Sequence, residues 1–398
     1  MRKPLLPAAL APLLLCAWQH PSTGLDAQRL ALIPIRMKEF VDSGKAAGIV
    51  TLVARHGQIA QLSAVGYLDL EAKTPMRPDA VFRIASMTKP VTCAGIMVLV
   101  DRGQLSVIDS VEKYLPEFKG QQVAGCGAGS GYDCASVTPR RPINILDLMT
   151  HTSGLPASSP AGRTPPSTLA ERVAPVGRLT LLFEPGTAWN YSNAGYATLG
   201  RIIEVVSKEP YDVFLKQNLF DPLKMVDTSF RPAAELKARV AAVYTDDNGK
   251  LRRASQFDNQ NGPYVPAPEG GLFSTAADMF RFNQMMLDHG KLDGQRVLSA
   301  AGVELMSTNL TGEINAGFSP GVGHGLGYEV VRSEQGTFRY GSIGTIAKGG
   351  AYRTFEFVDF RKDLVGLILF QRTNGGGDVA DEINVFAAMA AAAVEDGK

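Results

Sequence analysis

The 398-residue chain has little of what metal or nucleic-acid chemistry requires. Its five histidines and four cysteines are scattered, with no C-x-x-C and no H-E-x-x-H spacing, so no metal site is expected. Forty basic side chains meet 39 acidic ones for a net charge of +1, and no basic run stands out. That excludes nucleic acid as the expected partner. Beyond the N-terminus no segment is long and apolar enough to span a bilayer. There is no internal repeat, and no cofactor is implied. Any chemistry must come from ordinary side chains. With 45% hydrophobic and 20% charged residues the chain is globular, and its length suits two domains or one α/β unit with a large insertion.

The first 24 residues read as an export signal. Arg2 and Lys3 precede an apolar stretch, Leu5 to Ala17, that is too short for a membrane-spanning helix. Cleavage after Ala17 or after Gly24 fits equally well. Lipoprotein signals want a small residue before the cysteine; Leu15 precedes Cys16, which argues against lipid anchoring there. Export, to the periplasm or outside the cell, implies an oxidising compartment. Cys126 and Cys134 bracket a Gly-rich stretch, and a disulfide between them is expected to add about 2–3 kcal/mol. Cys93 sits in an apolar helical run and reads as a small buried hydrophobe.

Residues 26–44 look helical, and Gly48 to Gly66 reads as two β runs turning at His56-Gly57. Ser86 to Leu99 reads as a buried helix. From about 116 to 190 Pro, Gly and Ser are frequent, with short helices such as Asn144 to Met149. Helical spacing returns from Asn193 to Val206 and from Tyr211 to Phe220, then at Thr275 to Leu287. Strand-like runs follow at Leu326–Val331, Thr337–Ile343, Thr354–Asp359 and Leu364–Gln371, before an Ala-rich terminal helix. The expectation is an α/β domain from residues 25–115 and 265–398, interrupted by a helical, loop-rich domain at 116–264.

Three short strings carry the chemistry. In Ser86-Met87-Thr88-Lys89 a helical start puts Lys89 one turn from Ser86, on the same face. A desolvated lysine can accept the proton that keeps a serine hydroxyl from being a nucleophile. Pro90 lies in the first turn, where its missing N–H costs nothing. By itself S-x-x-K is common, and an N-capping serine beside an exposed lysine is its ordinary meaning. About a hundred residues on, Tyr191-Ser192-Asn193 offers a phenol as general base and an amide to orient the lysine or a substrate carbonyl. Lys348-Gly349-Gly350-Ala351, between strand-like runs, would let backbone approach a substrate closely.

In this order and spacing the strings resemble the serine β-lactamase and penicillin-binding-protein superfamily. Within it the chain resembles class C β-lactamases and, more closely, family VIII carboxylesterases. Supporting strings are Phe82-Arg-Ile-Ala-Ser86, Asp147-Leu-Met-Thr-His151-Thr-Ser-Gly154-Leu155, Phe183-Glu-Pro-Gly-Thr187 and Gly270-Gly-Leu-Phe-Ser-Thr275. The resemblance implies an antiparallel sheet flanked by helices, with an inserted, mostly helical domain. It implies Ser86 as acylated nucleophile, Lys89 as proton-relay partner, and Tyr191 as general base in acylation and deacylation. It places Asn193 on the active-site wall, with Lys348, Gly349 and Gly350 toward the substrate. The N–H groups of Ser86 and Ala351 would form the oxyanion hole. The departure lies in the third string. β-Lactamases carry Lys-Thr-Gly there, whereas this chain has Lys348-Gly349-Gly350 and lacks the hydroxyl. A Gly-Gly pair is similar to the esterases, so a small-molecule ester is the expected substrate. The alternatives are a class C-like β-lactamase, a D-Ala-D-Ala carboxypeptidase or D-aminopeptidase, and a non-catalytic peptidoglycan- or β-lactam-binding protein.

A G-x-S-x-G string also occurs, at Gly317-Phe318-Ser319-Pro320-Gly321. It fails as a nucleophile elbow because Pro320 has no N–H to offer an oxyanion. His151 reads as a structural hydrogen-bonding residue in a turn. His324, among glycines before a strand, is placed to line a pocket.

Overall fold

The computed structural model describes residues 23–125, 135–158, 166–257, 264–333, 341–373 and 381–395. The expected export signal with Cys16 and the Cys126–Cys134 pair lie outside them. Helix α1 (Ala27–Asp42) begins where the Asp26 carboxylate accepts the N–H groups of Gln28 and Arg29. Its Leu30, Ile33, Met37 and Phe40 are buried at helical spacing. Strands β1 (Gly48–Arg55) and β2 (Gln58–Asp69) form a hairpin through His56 and Gly57. Both turn residues have positive φ, +52° and +71°, as a two-residue hairpin turn demands. A short β3 (Thr74–Pro75) follows.

The helices come next. They are α2 (Thr88–Asp101), α3 (Ile145–Met149), α4 (Leu169–Val173), α5 (Asn193–Ser207), α6 (Tyr211–Leu215), α7 (Ala276–Leu287) and α8 (Ala300–Ser307). Strands β4 (Val322–His324), β5 (Glu329–Val331), β6 (Ile346–Gly349), β7 (Phe355–Asp359) and β8 (Leu364–Leu369) then lead to α9 (Asp381–Ala392). All eight strands join one antiparallel sheet in the order β4-β5-β6-β7-β8-β1-β2-β3. The last long strand closes against the first, Val50 opposite Leu369. The two chain ends thus build one sheet.

Helices α1 and α9 pack together on one face of that sheet, around Ile33, Phe355, Ile368 and Phe386. On the other face α7 covers β1, β7 and β8. The central strands are accordingly buried along their length rather than alternating. Helix α2 packs against α5 and α6, so one continuous apolar core links the sheet to the helical middle. Among the described residues no helix is long and apolar enough to cross a membrane.

Three expected elements differ. The strand expected at Thr337–Ile343 is absent from its described residues, 341–343. The chain turns at Gly344 (φ +91°), and the strand starts at Ile346. The run at Leu326–Val331 shortens to Glu329–Val331, because Gly327 adopts φ +88°. The helix expected to reach Phe220 widens after Leu215, where Asp221 N–H bonds back to Lys216 O five residues earlier.

Candidate active site

Ser86 lies in a single 3-10 turn, Ala85–Met87, that runs directly into α2. The segment before it is pinned from two sides. Phe82–Arg83 pairs with Phe273–Ser274, and the Ile84 N–H donates to Leu272 O at 3.0 Å. The Thr354 hydroxyl donates to Ile84 O at 3.0 Å. Ala85 is driven into left-handed space at φ +47°, a costly conformation for a residue with a Cβ. Gly350, at the end of β6, is required here: a Cβ on it would collide with Ile84 O and Thr354 Oγ1. The end of the Lys348-Gly349-Gly350 segment is thereby brought against the turn that carries Ser86.

Residues Thr88 to Leu99 of α2 are all buried, and Lys89 goes into the interior with them. Its ammonium has three acceptors: Ser86 Oγ at 3.1 Å, Asn193 Oδ1 at 2.8 Å and Glu269 O at 2.6 Å. Burial lowers its pKa, with the Lys348 charge acting in the same direction and Tyr191 opposing. Asn193 opens α5, behind the Ser192 side chain that caps it. The Glu269 side chain is itself held by an ion pair with Arg172 of α4.

Tyr191 reaches the same oxygen, its hydroxyl donating to Ser86 Oγ at 2.8 Å. The phenol is half-buried, and desolvation alone would raise its pKa. The Lys348 and Lys89 charges outweigh that and hold it below the ordinary phenol value. Their ammonium nitrogens lie 5.0 Å and 4.6 Å from the ring centroid. With the phenol ionised, the same 2.8 Å line carries a proton from serine to tyrosine.

His151 packs behind Tyr191, with ring centroids 4.4 Å apart and the ring planes tilted by 37°. Its Nδ1 accepts the Ser192 N–H at 3.1 Å, and its carbonyl accepts the Asn190 N–H at 2.9 Å. One residue therefore fixes the backbone on both sides of Tyr191. An Nδ1 that accepts leaves the proton on Nε2, so this imidazole is neutral. Burial and the neighbouring His324 push its pKa well below the usual value. His324 Nδ1 lies 2.9 Å from Gly325 O and so carries the ring proton; burial and Lys348 bring its pKa down to about 4.

Lys348, on β6, is buried, and its cross-strand neighbour on β7 is Glu356. Opposed residues of an antiparallel pair share one face. Glu356 accepts a hydrogen bond from Asn283 at 2.9 Å, and burial raises its pKa to about 8. Burial thus favours its neutral form although it neighbours a lysine. Ala351 follows on the exposed turn after β6. Among the described residues no cluster of three His, Cys, Asp or Glu side chains could hold a metal ion.

A profile of the β-lactamase family matches residues 36–390. The chain belongs to the β-lactamase family. Protein Rv1367c of Mycobacterium tuberculosis is 36% identical over 364 residues, 84% of this chain and 88% of that one. Esterase EstB of Burkholderia gladioli is 32% identical over 261 residues, 62% of this chain and 61% of its own length. Penicillin-binding proteins are also among the relatives. Among solved structures, EstCE1, described as a hydrolase with promiscuous acyltransferase activity, superposes with a TM-score of 0.78 at 25% identity. That match covers 93% of this chain and 99% of that one.

The fold brings Ser86, Lys89, Tyr191 and Asn193 into hydrogen-bonding contact, with Lys348 beside them and Gly350 under the turn that carries Ser86. Two participants went unseen in the sequence. The Glu269 carbonyl is backbone and leaves no side-chain signal. Glu356 meets Lys348 only through strand register. His151 is the structural hydrogen-bonding turn residue expected, and the fold adds its place against the Tyr191 ring. Cys93 is a buried thiol with its pKa raised to about 12, as its apolar context foretold.

Proposed function

We propose that this chain is a serine hydrolase that cleaves carboxylic esters through an acyl-enzyme on Ser86. The observation that carries the reading is the convergence of Lys89 Nζ and Tyr191 OH on one oxygen, Ser86 Oγ, at 3.1 Å and 2.8 Å. Ionised Tyr191 takes the Oγ proton as Oγ attacks the ester carbonyl carbon. The oxyanion is received by the N–H groups of Ser86 and Ala351. Collapse breaks the C–O bond, and the departing alkoxide takes the proton from Tyr191. Water then attacks the acyl carbon and gives its proton to Tyr191, and Ser86 leaves as the hydroxyl. Lys89, charged at rest, stabilises the phenolate and is its proton-relay partner along the 3.1 Å line to Ser86 Oγ.

The ester preference rests on Gly349, which stands where a lactam-binding site would have a threonine, and agrees with the esterase among the relatives. A second reading, β-lactamase or D-Ala-D-Ala carboxypeptidase/D-aminopeptidase, is favoured by the buried ammonium of Lys348, which suits a substrate carboxylate. Hydrolysis of p-nitrophenyl acetate and of nitrocefin, measured in parallel on wild type and Ser86→Ala, separates them. Ser86-dependent ester cleavage with slow nitrocefin turnover is expected. Fast nitrocefin turnover with negligible ester cleavage would establish the second reading.

A further inference from the structure

We infer that Phe318 and Trp189 form the subsite for the alcohol portion of the ester, and that this subsite favours a flat, apolar alcohol. The inference rests on the ester reading above. Phe318 belongs to the G-x-S-x-G string that fails as a nucleophile elbow, and the fold gives that loop another use. Its ring lies 5.1 Å from the centroid of Tyr191 and edge-on to Trp189 at 5.4 Å. Trp189 stands 6.2 Å from Tyr191 and packs edge-on against His151 at 5.9 Å. The three rings form one wall beside the hydroxyl that meets Ser86.

Phe318 is 49% exposed, a large apolar side chain left open to solvent at this position. It is not loosely placed. Its N–H donates to the carboxylate of buried Glu329 at 2.7 Å. Gly317 before it holds φ +82°, and a side chain there would collide with Val322. Trp189 is fixed by the next residue, Asn190, bonded to His151 O and Leu155 O, both at 2.9 Å. An exposed aromatic held by its backbone presents its surface without first being ordered, which favours ligand binding.

Proton bookkeeping tells which half of the ester meets this wall. When the tetrahedral intermediate collapses, the C–O bond breaks and the leaving oxygen takes its proton from Tyr191. That oxygen therefore sits at the Tyr191 hydroxyl, and its substituent extends over the rings packed on Tyr191. The carbonyl oxygen points the other way, toward Ser86 and Ala351. The wall thus contacts the alcohol, and edge-on or offset ring packing rewards a planar one.

Benzyl acetate and methyl acetate test this, since they share an acyl group and their alcohols have similar acidity. Wild type is expected to show the lower KM for benzyl acetate. Phe318→Ala should raise that KM about fivefold, with kcat within about twofold, because stacking serves ground and transition states alike. The KM for methyl acetate should rise by less than that for benzyl acetate, so that the benzyl preference shrinks, and Phe318→Tyr should keep it. Equal losses on both esters from Phe318→Ala, or no loss on either, would overturn the assignment. Wild type that turns over neither ester would overturn the ester reading itself, and the subsite with it. Circular dichroism of each variant separates either result from misfolding.

Discussion

Lys348 holds its ammonium 5.0 Å from the centre of the Tyr191 ring, reaching it from a sheet strand, whereas Lys89 reaches it from a helix. The phenol is half-buried and yet more acidic than an ordinary tyrosine, because two positive charges outweigh the cost of desolvating its anion. The acid limb of activity against pH then reports the coupled Tyr191–Lys89 pair rather than either group alone. Removing the Lys348 charge raises the Tyr191 pKa, so activity should begin at higher pH. The kcat/KM profile of Lys348→Met on a neutral ester is expected to move its acid midpoint upward. A midpoint that stays in place would mean Lys348 does not set the acidity of the base.

Lys89 and Tyr191 both donate to Ser86 Oγ, and groups that work as one unit do not add. Tyr191→Phe and Lys89→Ala should each lower kcat/KM by roughly 10²–10⁴-fold. The double variant should fall little further than the worse single. Phosphonate labelling of Ser86, followed by mass, should slow in parallel. Near-full activity in Tyr191→Phe would remove it as the general base.

Glu356 governs stability rather than turnover. Burial raises its pKa from 4.5 unfolded to about 8 folded, with Asn283 donating to it and Lys348 only partly offsetting the burial. Below pH 4.5 both states hold the proton, and the full benefit of the folded environment is present. Between about 4.5 and 8 the unfolded chain releases a proton that the folded one keeps, so this benefit falls as pH rises. Glu356→Gln mimics the neutral form. Its melting temperature relative to wild type should therefore climb from pH 5 to pH 8, read by thermal denaturation in matched buffers. A constant difference would show that Glu356 is already ionised in the folded protein.

Much of the site was legible because its signals are local. Ser86 and Lys89 are one helical turn apart, and Asn193 begins a helix whose apolar spacing is plain in the chain. Gly350 was legible as a close approach, although what it approaches, the Ile84 carbonyl, was not. What stayed hidden depends on partners brought by the sheet or by loops. No periodicity states that Glu356 will face Lys348, or that Phe318 will lie on Tyr191. The missed strand boundaries share one cause. The run at Leu326–Val331 spans Gly327 and the run at Thr337–Ile343 stops just before Gly344, and a left-handed glycine separates strand from turn whatever the hydropathy around it.

Ala85 bears on how this protein could be changed. It stands at φ +47° immediately before Ser86, wedged beside Gly350. A glycine there would relieve backbone strain on the order of 1 kcal/mol, and a search for thermostable variants would select it. The same exchange would free the turn that aims Ser86 at Tyr191. On the reading proposed above, robustness and turnover compete at this one alanine.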